Sequence, residues 1–307
     1  MNILEVNEVS KAFGNQVILD GVSFHVPEHS VFGFLGQNGA GKTTTMKIIL
    51  GLLQADQGVV MVNGERVTYG QTKTNRYIGY LPDVPEYYGY MKPLEYLALC
   101  GEITGMKKNE CKLRTEELLD LVGLEKANKK IAGFSRGMKQ RLGIAQALLN
   151  EPKLLVCDEP TSALDPIGRK EILDILYKVK DKTTVMFSTH ILSDVERICD
   201  NIALIHQGKI QMQGDLVTIK TNHAREGIEI EFSKIEDLKR FQNEAKDLAN
   251  VYKGNEDNPL AIELKASNMN ELSKVSLQIL AQNDIVPVKF MCVKPTLEDL
   301  FMEIVKE

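Results

Sequence analysis

The stretch "VFGFLGQNGAGKTTTMKIILGLL", residues 31–53, constrains this chain more than any other. A short apolar run leads into Gly36, Gln37, Asn38, Gly39, Ala40, Gly41, Lys42 and Thr43, and a helix-like run beginning at Thr44 follows directly. The eight residues fit GxxxxGK[ST] in the strand–loop–helix context that the pattern requires. Glycines let the backbone N–H groups converge on phosphate oxygens at the positive end of a helix dipole. In such a loop Lys42 reaches the β- and γ-phosphates of a nucleotide, the Thr43 hydroxyl binds Mg²⁺, and Thr44 belongs to the same nucleotide-binding set.

A loop of this kind needs a sheet to carry it, and the first ~220 residues alternate strand-like and helix-like segments. "ILEVNEV" and "VILDGVSFHV" alternate in the manner of half-exposed strands, and Asn63-Gly64 between apolar runs signals a hairpin. "VFGFLG", "YIGYLP", "KLLVCDE" and "TVMFSTH" are continuous apolar runs, expected as buried parallel strands, with helices such as "PIGRKEILDILYKVK" between them. A helical insert is expected over about 92–150, where no strand pattern occurs. From 221 to 307 the order changes to strand, helix, two strands, helix, strand, which predicts a small split βαβ module of α+β class. Within it Ile235, Leu238, Phe241 and Leu248 recur at helical spacing, and Asn268 with Glu271 predicts a capping box. "PTLEDLFMEIV" predicts a closing helix.

"LLVCDEP" supplies the second half of a metal site. An apolar strand ending in Asp158 and Glu159 delivers both carboxylates to the carboxyl edge of the sheet, where ligands of α/β folds bind. Asp158 is then suited to the Mg²⁺ shell and Glu159 to polarising the attacking water.

With 37 basic against 42 acidic residues the net charge is −5, which argues against a nucleic-acid binder held by counterion release. No run approaches the ~18 apolar residues of a membrane span. The opening "MNILEVNEVSKAF" lacks the apolar core of a signal peptide. The five cysteines are scattered singly, as suits a reducing cytosol.

Taken in order and spacing, "GQNGAGKT", "FSRGMKQR", "LLVCDEP", "SALD" and "STH" resemble the motifs of the ATP-binding-cassette (ABC) ATPases over residues 1–220. The resemblance implies an ABC nucleotide-binding domain with a mostly parallel sheet, an antiparallel β subdomain and the helical insert. It also implies ATP and Mg²⁺ as ligand and cofactor. "FSRGM" stands where the family carries its Leu-Ser-Gly-Gly-Gln signature, with Phe134, Arg136 and Met138 replacing Leu, Gly and Gln. Ser135, Arg136 and Gly137 are therefore expected to contact ATP held by a facing subunit, as is Asp165 of "SALD", in a homodimer or heterodimer. His190 resembles the histidine that holds the γ-phosphate and attacking water. Phe13 matches the aromatic that stacks on adenine, although burial would also explain a Phe there. Asp83 stands where the family usually has a metal-contacting Gln, and a carboxylate would meet Mg²⁺ through water.

The signature variant and the tail resemble the bacterial exporter branch related to antibiotic and peptide efflux ATPases, whose permease is a separate membrane subunit. That implies a cytoplasmic protein, peripheral on the inner face of the cell membrane. Tyr87, Tyr88, Tyr90 and Met91 would either receive the permease or pack the helical insert. The alternative is a soluble cassette protein acting on nucleic acid or ribosomes. Such proteins usually carry two cassettes or basic tracts, and this chain has one cassette and an acidic balance.

Overall fold

A computed structural model of the chain describes residues 1–307 except 72, 223–226, 246–250, 255–257, 266–267, 294–296, 299 and 302–307. The chain forms two compact units, Met1–Leu216 and Val217–Glu307.

The first unit opens with a long antiparallel pair, β1 (Asn2–Phe13) and β2 (Gln16–Pro27), whose inward residues Leu4, Val6, Val9, Leu19, Val22 and Val26 are buried. β3 (Val31–Leu35) is buried at every position, as a central strand covered on both faces must be. It feeds α1 (Lys42–Ile49). β4 (Gln57–Val62) and β5 (Glu65–Arg66) then form the expected hairpin. Asn63 and Gly64 both have positive φ (49° and 74°), the requirement of a type I′ turn.

β6 (Ile78–Leu81) precedes the helical region, which contains α2 (Pro93–Ile103), α3 (Lys108–Leu121) and α4 (Arg136–Ala147). The end of α4 lies against β6 so closely that a Cβ at Gly79 would meet the Ala147 carbonyl oxygen at 2.1 Å. β7 (Leu154–Cys157), α5 (Pro166–Val179), β8 (Thr184–Thr189) and α6 (Leu192–Ile198) restore the α/β alternation. β9 (Asn201–His206) and β10 (Lys209–Asp215) form a further hairpin at Gln207-Gly208. α7 (Leu216–Asn222) follows.

Two sheets result. β2-β1-β4-β5 is the antiparallel subdomain. The six-stranded sheet runs β10-β9-β3-β8-β7-β6, parallel except for the edge strand β10. The runs predicted as buried strands are β3, β6, β7 and β8, and every one lies in the parallel array, but β6, at the sheet edge, buries only Gly79 and Leu81. Its carboxyl edge carries the ends of β3, β7 and β8, and so brings the glycine loop, Asp158 and His190 to one side.

In the second unit, β11 (Gly227–Glu231), α8 (Ile235–Glu244), β12 (Val251–Gly254), β13 (Ala261–Lys265), α9 (Met269–Gln282) and β14 (Lys289–Val293) follow the predicted order. The antiparallel sheet order β12-β13-β11-β14 is that of a split βαβ module. Leu238 and Phe241 enter its core, whereas Ile235, at the start of α8, is 41% exposed. Leu248 lies outside the described residues. Asn268 caps α9 by accepting from the Glu271 N–H (3.3 Å), but the Glu271 carboxylate takes its bond from the Asn268 side-chain amide. Of the closing helix, Leu297, Glu298, Leu300 and Phe301 are helical and the other residues lie outside the described set.

Candidate active site

The glycine loop, Gly36 to Gly41, joins β3 to α1. Gly41 is the N-cap of α1 at φ 111°, and a Cβ there would meet Leu19 Cδ2 at 2.5 Å, so no other residue fits. No side chain caps this helix start and no acid sits in its first turn. Its positive end therefore stays open to an anion. Gln37, Asn38, Gly39 and Thr43 are exposed, while Ala40 and Lys42 are buried and Thr44 is half-buried. The Lys42 ammonium lies in the bowl of the loop and donates to the carbonyls of Gly36 (2.7 Å) and Gln37 (3.2 Å).

Across from the loop, the end of β7 presents Asp158, 4% exposed, and Glu159. The Thr43 hydroxyl donates to Asp158 Oδ2 at 2.9 Å, which unites the two halves of the expected metal site. Ser188, on β8, donates to Asp158 Oδ1 (2.6 Å) and accepts from the Glu159 N–H (3.0 Å). Glu159 Oε1 lies 3.1 Å from Lys42 Nζ; it is buried and makes no hydrogen bond, so the contact is an ion pair off the hydrogen-bonding line. Glu159 Oε2 lies 2.9 Å from His190 Nδ1. A carboxylate only accepts, so Nδ1 is the donor in this contact.

Lys42, Thr43, Asp158, Glu159 and His190 thus form one connected set. Among the described residues no three His, Cys, Asp or Glu side chains could hold a metal ion by themselves. A small hard cation would take Thr43 and Asp158 together with phosphate oxygens, which is the way Mg²⁺ is usually held. The residues present fit it.

The signature turn stands apart from this set. Ser135 is the N-cap of α4, its hydroxyl accepting from the Met138 N–H at 3.3 Å. Leu164 of "SALD" packs 3.9 Å from where a Gly137 Cβ would be, so the signature turn and Asp165 share a surface. Asp165 is exposed at the start of α5. Among the described residues no hydrogen bond or ion pair joins Ser135, Arg136 or Gly137 to the Lys42–Glu159–His190 set. Arg136 instead pairs with Asp83 (Nη2–Oδ1, 3.1 Å), so Asp83 is engaged by the signature and not by Thr43 or Asp158.

A family model described as ABC transporter matches residues 19–162. Over 99% of this chain and 97% of its own length, the bacitracin transport ATP-binding protein BcrA of Bacillus licheniformis is 33% identical. The ABC transporter ATP-binding protein YxlF of Bacillus subtilis is 43% identical over 71% of this chain and 72% of its own. A solved ATP-binding subunit of an ABC transporter superposes with a TM-score of 0.65 at 35% identity, covering 72% of this chain and 92% of that one. This chain belongs to the ABC transporter ATP-binding family.

As an ABC ATPase it binds ATP and hydrolyses it in the service of transport. Phe13, at the tip of the β1–β2 hairpin, is 51% exposed, with Lys11 Nζ 5.4 Å from the ring centre. Burial therefore does not explain this Phe. The neighbouring Leu19 touches the glycine loop at Gly41.

Two features of the ABC ATPase escaped the sequence. Ser188 precedes His190 by two residues in the quoted "STH", so the signal was in hand without revealing that Ser188 bridges Asp158 and Glu159. Asp194, 2% exposed, accepts from Thr161 (2.7 Å) and Arg169 (2.6 Å) and clamps the turn that carries Asp165. Nothing local announces it, because its partners are 25 and 33 residues away. The tyrosines divide. Tyr87 packs edge-on against Tyr96 and donates to the Lys139 carbonyl (2.6 Å), whereas Tyr88 and Tyr90 are 54% and 71% exposed. Burial pushes the Tyr87 hydroxyl pKa far up, so it stays a neutral donor.

Proposed function

We propose that the chain is the ATP-hydrolysing subunit of a bacterial exporter. It would work with a separate membrane permease and close head-to-tail with a second subunit around two ATP molecules. The observation that carries this reading is that "FSRGM" and Asp165 lie on one surface yet, among the described residues, Ser135, Arg136 and Gly137 make no hydrogen bond or ion pair with the chain's own Lys42–Glu159–His190 set. A helix start that carries Arg136 and no acid of its own in the first turn is suited to a phosphate from another chain.

In this reading the loop N–H groups and Lys42 hold the β- and γ-phosphates, and Phe13 stacks on the base. Thr43 and Asp158 hold Mg²⁺, which when bound neutralises charge shared by the β- and γ-phosphate oxygens. Glu159 takes the proton of the attacking water. His190, donating from Nδ1, fixes the Glu159 carboxylate. Ser135, Arg136, Gly137 and Asp165 complete the site of the facing subunit.

Among the described residues no helix is long and apolar enough to cross a membrane; in this reading the substrate's path lies in another chain. Val84, Tyr88 and Tyr90 follow Asp83 as exposed large side chains, and aromatics favour interface cores. They are assigned to the permease, which would hold the protein at the inner face of the membrane. The second unit, with a core of its own, is assigned to support of the pair.

Mixing two dead variants tests the composite site. Ser135→Arg protein and Lys42→Ala protein are each inactive alone, and their mixture regains ATPase activity through the one site built from intact halves. A mixture as inactive as its parents, with subunit exchange demonstrated by labelled chains, would count against the facing-subunit role of "FSRGM".

A further inference from the structure

The two positions at which this chain departs in charge from the ABC pattern, Asp83 for Gln and Arg136 for Gly, are each other's ion-pair partners. Arg136 Nη2 lies 3.1 Å from Asp83 Oδ1 across 53 residues of sequence. Arg136 is the first residue of α4, whose first turn contains no acid but also carries Lys139. Positive side chains at the positive end of a helix are unfavourable, and an anion placed there offsets the cost. Asp83 is that anion. Its backbone is fastened to the same helix: the Asp83 carbonyl accepts from Nε2 of the fully buried Gln140 at 2.6 Å. Tyr87 donates to the Lys139 carbonyl from the same segment. The Asp83 carboxylate is therefore held in place beside Arg136 and does not reach it by chance.

We infer that Asp83 is a positioning residue for Arg136: it occupies the guanidinium within the lone chain and yields it to the phosphate of the facing subunit's ATP. This rests on the composite-site reading and adds to it the group with which that phosphate competes. Both side chains are 43% exposed, and pairs so wetted are held weakly. A terminal phosphate carries more charge and matches the planar guanidinium with two oxygens, so it wins the exchange. The pair thus sets a threshold of ATP for closure. Asp83 also stands at the start of the segment assigned to the permease, so a pull on that segment would alter the threshold.

The test is the ATP–Mg²⁺ concentration that half-converts Glu159→Gln protein to dimer, followed by light scattering. Adding Asp83→Asn to that parent is expected to lower it about two- to fivefold, the worth of an exposed pair. Asp83→Glu, which keeps the charge, should restore the parent's requirement. Arg136→Ala is expected to raise it, and Asp83→Asn then adds nothing. An unchanged or raised requirement in Asp83→Asn overturns the inference, as does the same shift in the Arg136→Ala background. A dimer absent from the Glu159→Gln parent at any ATP concentration overturns the composite site itself, and the inference with it.

Discussion

Glu159→Gln is expected to lower the ATPase rate by ~10²–10⁴ while leaving ATP binding intact, the usual worth of a general base. The substitution keeps the side-chain shape but removes the charge and with it the ability to take a proton. Lys42 keeps its place in the variant, because its ammonium is held by the Gly36 and Gln37 carbonyls as well as by Glu159. Asp158 keeps Thr43 and Ser188. Single-turnover hydrolysis alongside equilibrium binding of a fluorescent ATP analogue separates the two effects. A rate within a few-fold of the parent would remove Glu159 from the role. His190→Ala should lose less than Glu159→Gln, since it removes a group that holds the Glu159 carboxylate and leaves the carboxylate itself in place.

Lys42→Ala is expected to lower ATP affinity by ~10²-fold or more, because it deletes charge-assisted bonds worth about 1.5–3 kcal/mol each to two phosphates. The buried ammonium is also the only cation that the described contacts bring to Glu159 Oε1, so the variant leaves that oxygen without its counter-charge. Isothermal titration with ATP–Mg²⁺ reads the affinity, and an unfolding midpoint near the parent's separates loss of binding from loss of fold. Unchanged affinity in a folded variant would refute the phosphate-loop assignment.

The phosphate loop was legible because its chemistry is local: glycine sterics and a helix start suffice, and both fall within eight residues. β3, β7 and β8 were legible because strands covered on both faces need apolar residues throughout. Asn63-Gly64 announced its turn through positive φ. β9 and β10 carried a comparable turn at Gln207-Gly208, both at positive φ, but Gln is a less telling residue there than Asn. What stayed hidden is the long-range wiring. Ser188 joins Asp158 to Glu159 across a strand pairing, and Asp194 reaches Thr161 and Arg169 through a tertiary contact. Asp83 and Arg136 looked like two unrelated departures from a motif until the fold brought their charges together. The exposure of Phe13 and the division between Tyr87 and its neighbours were likewise decided by packing, which a hydrophobic pattern does not report.

In the proposed pair one chain holds ATP and a second chain completes the site. Light scattering on Glu159→Gln protein, with and without ATP–Mg²⁺, addresses it most directly. The expected mass is that of one chain without nucleotide and of two chains with it. A single-chain mass in both conditions, with bound ATP demonstrated, would contradict the pairing of identical chains and leave "FSRGM" without its phosphate.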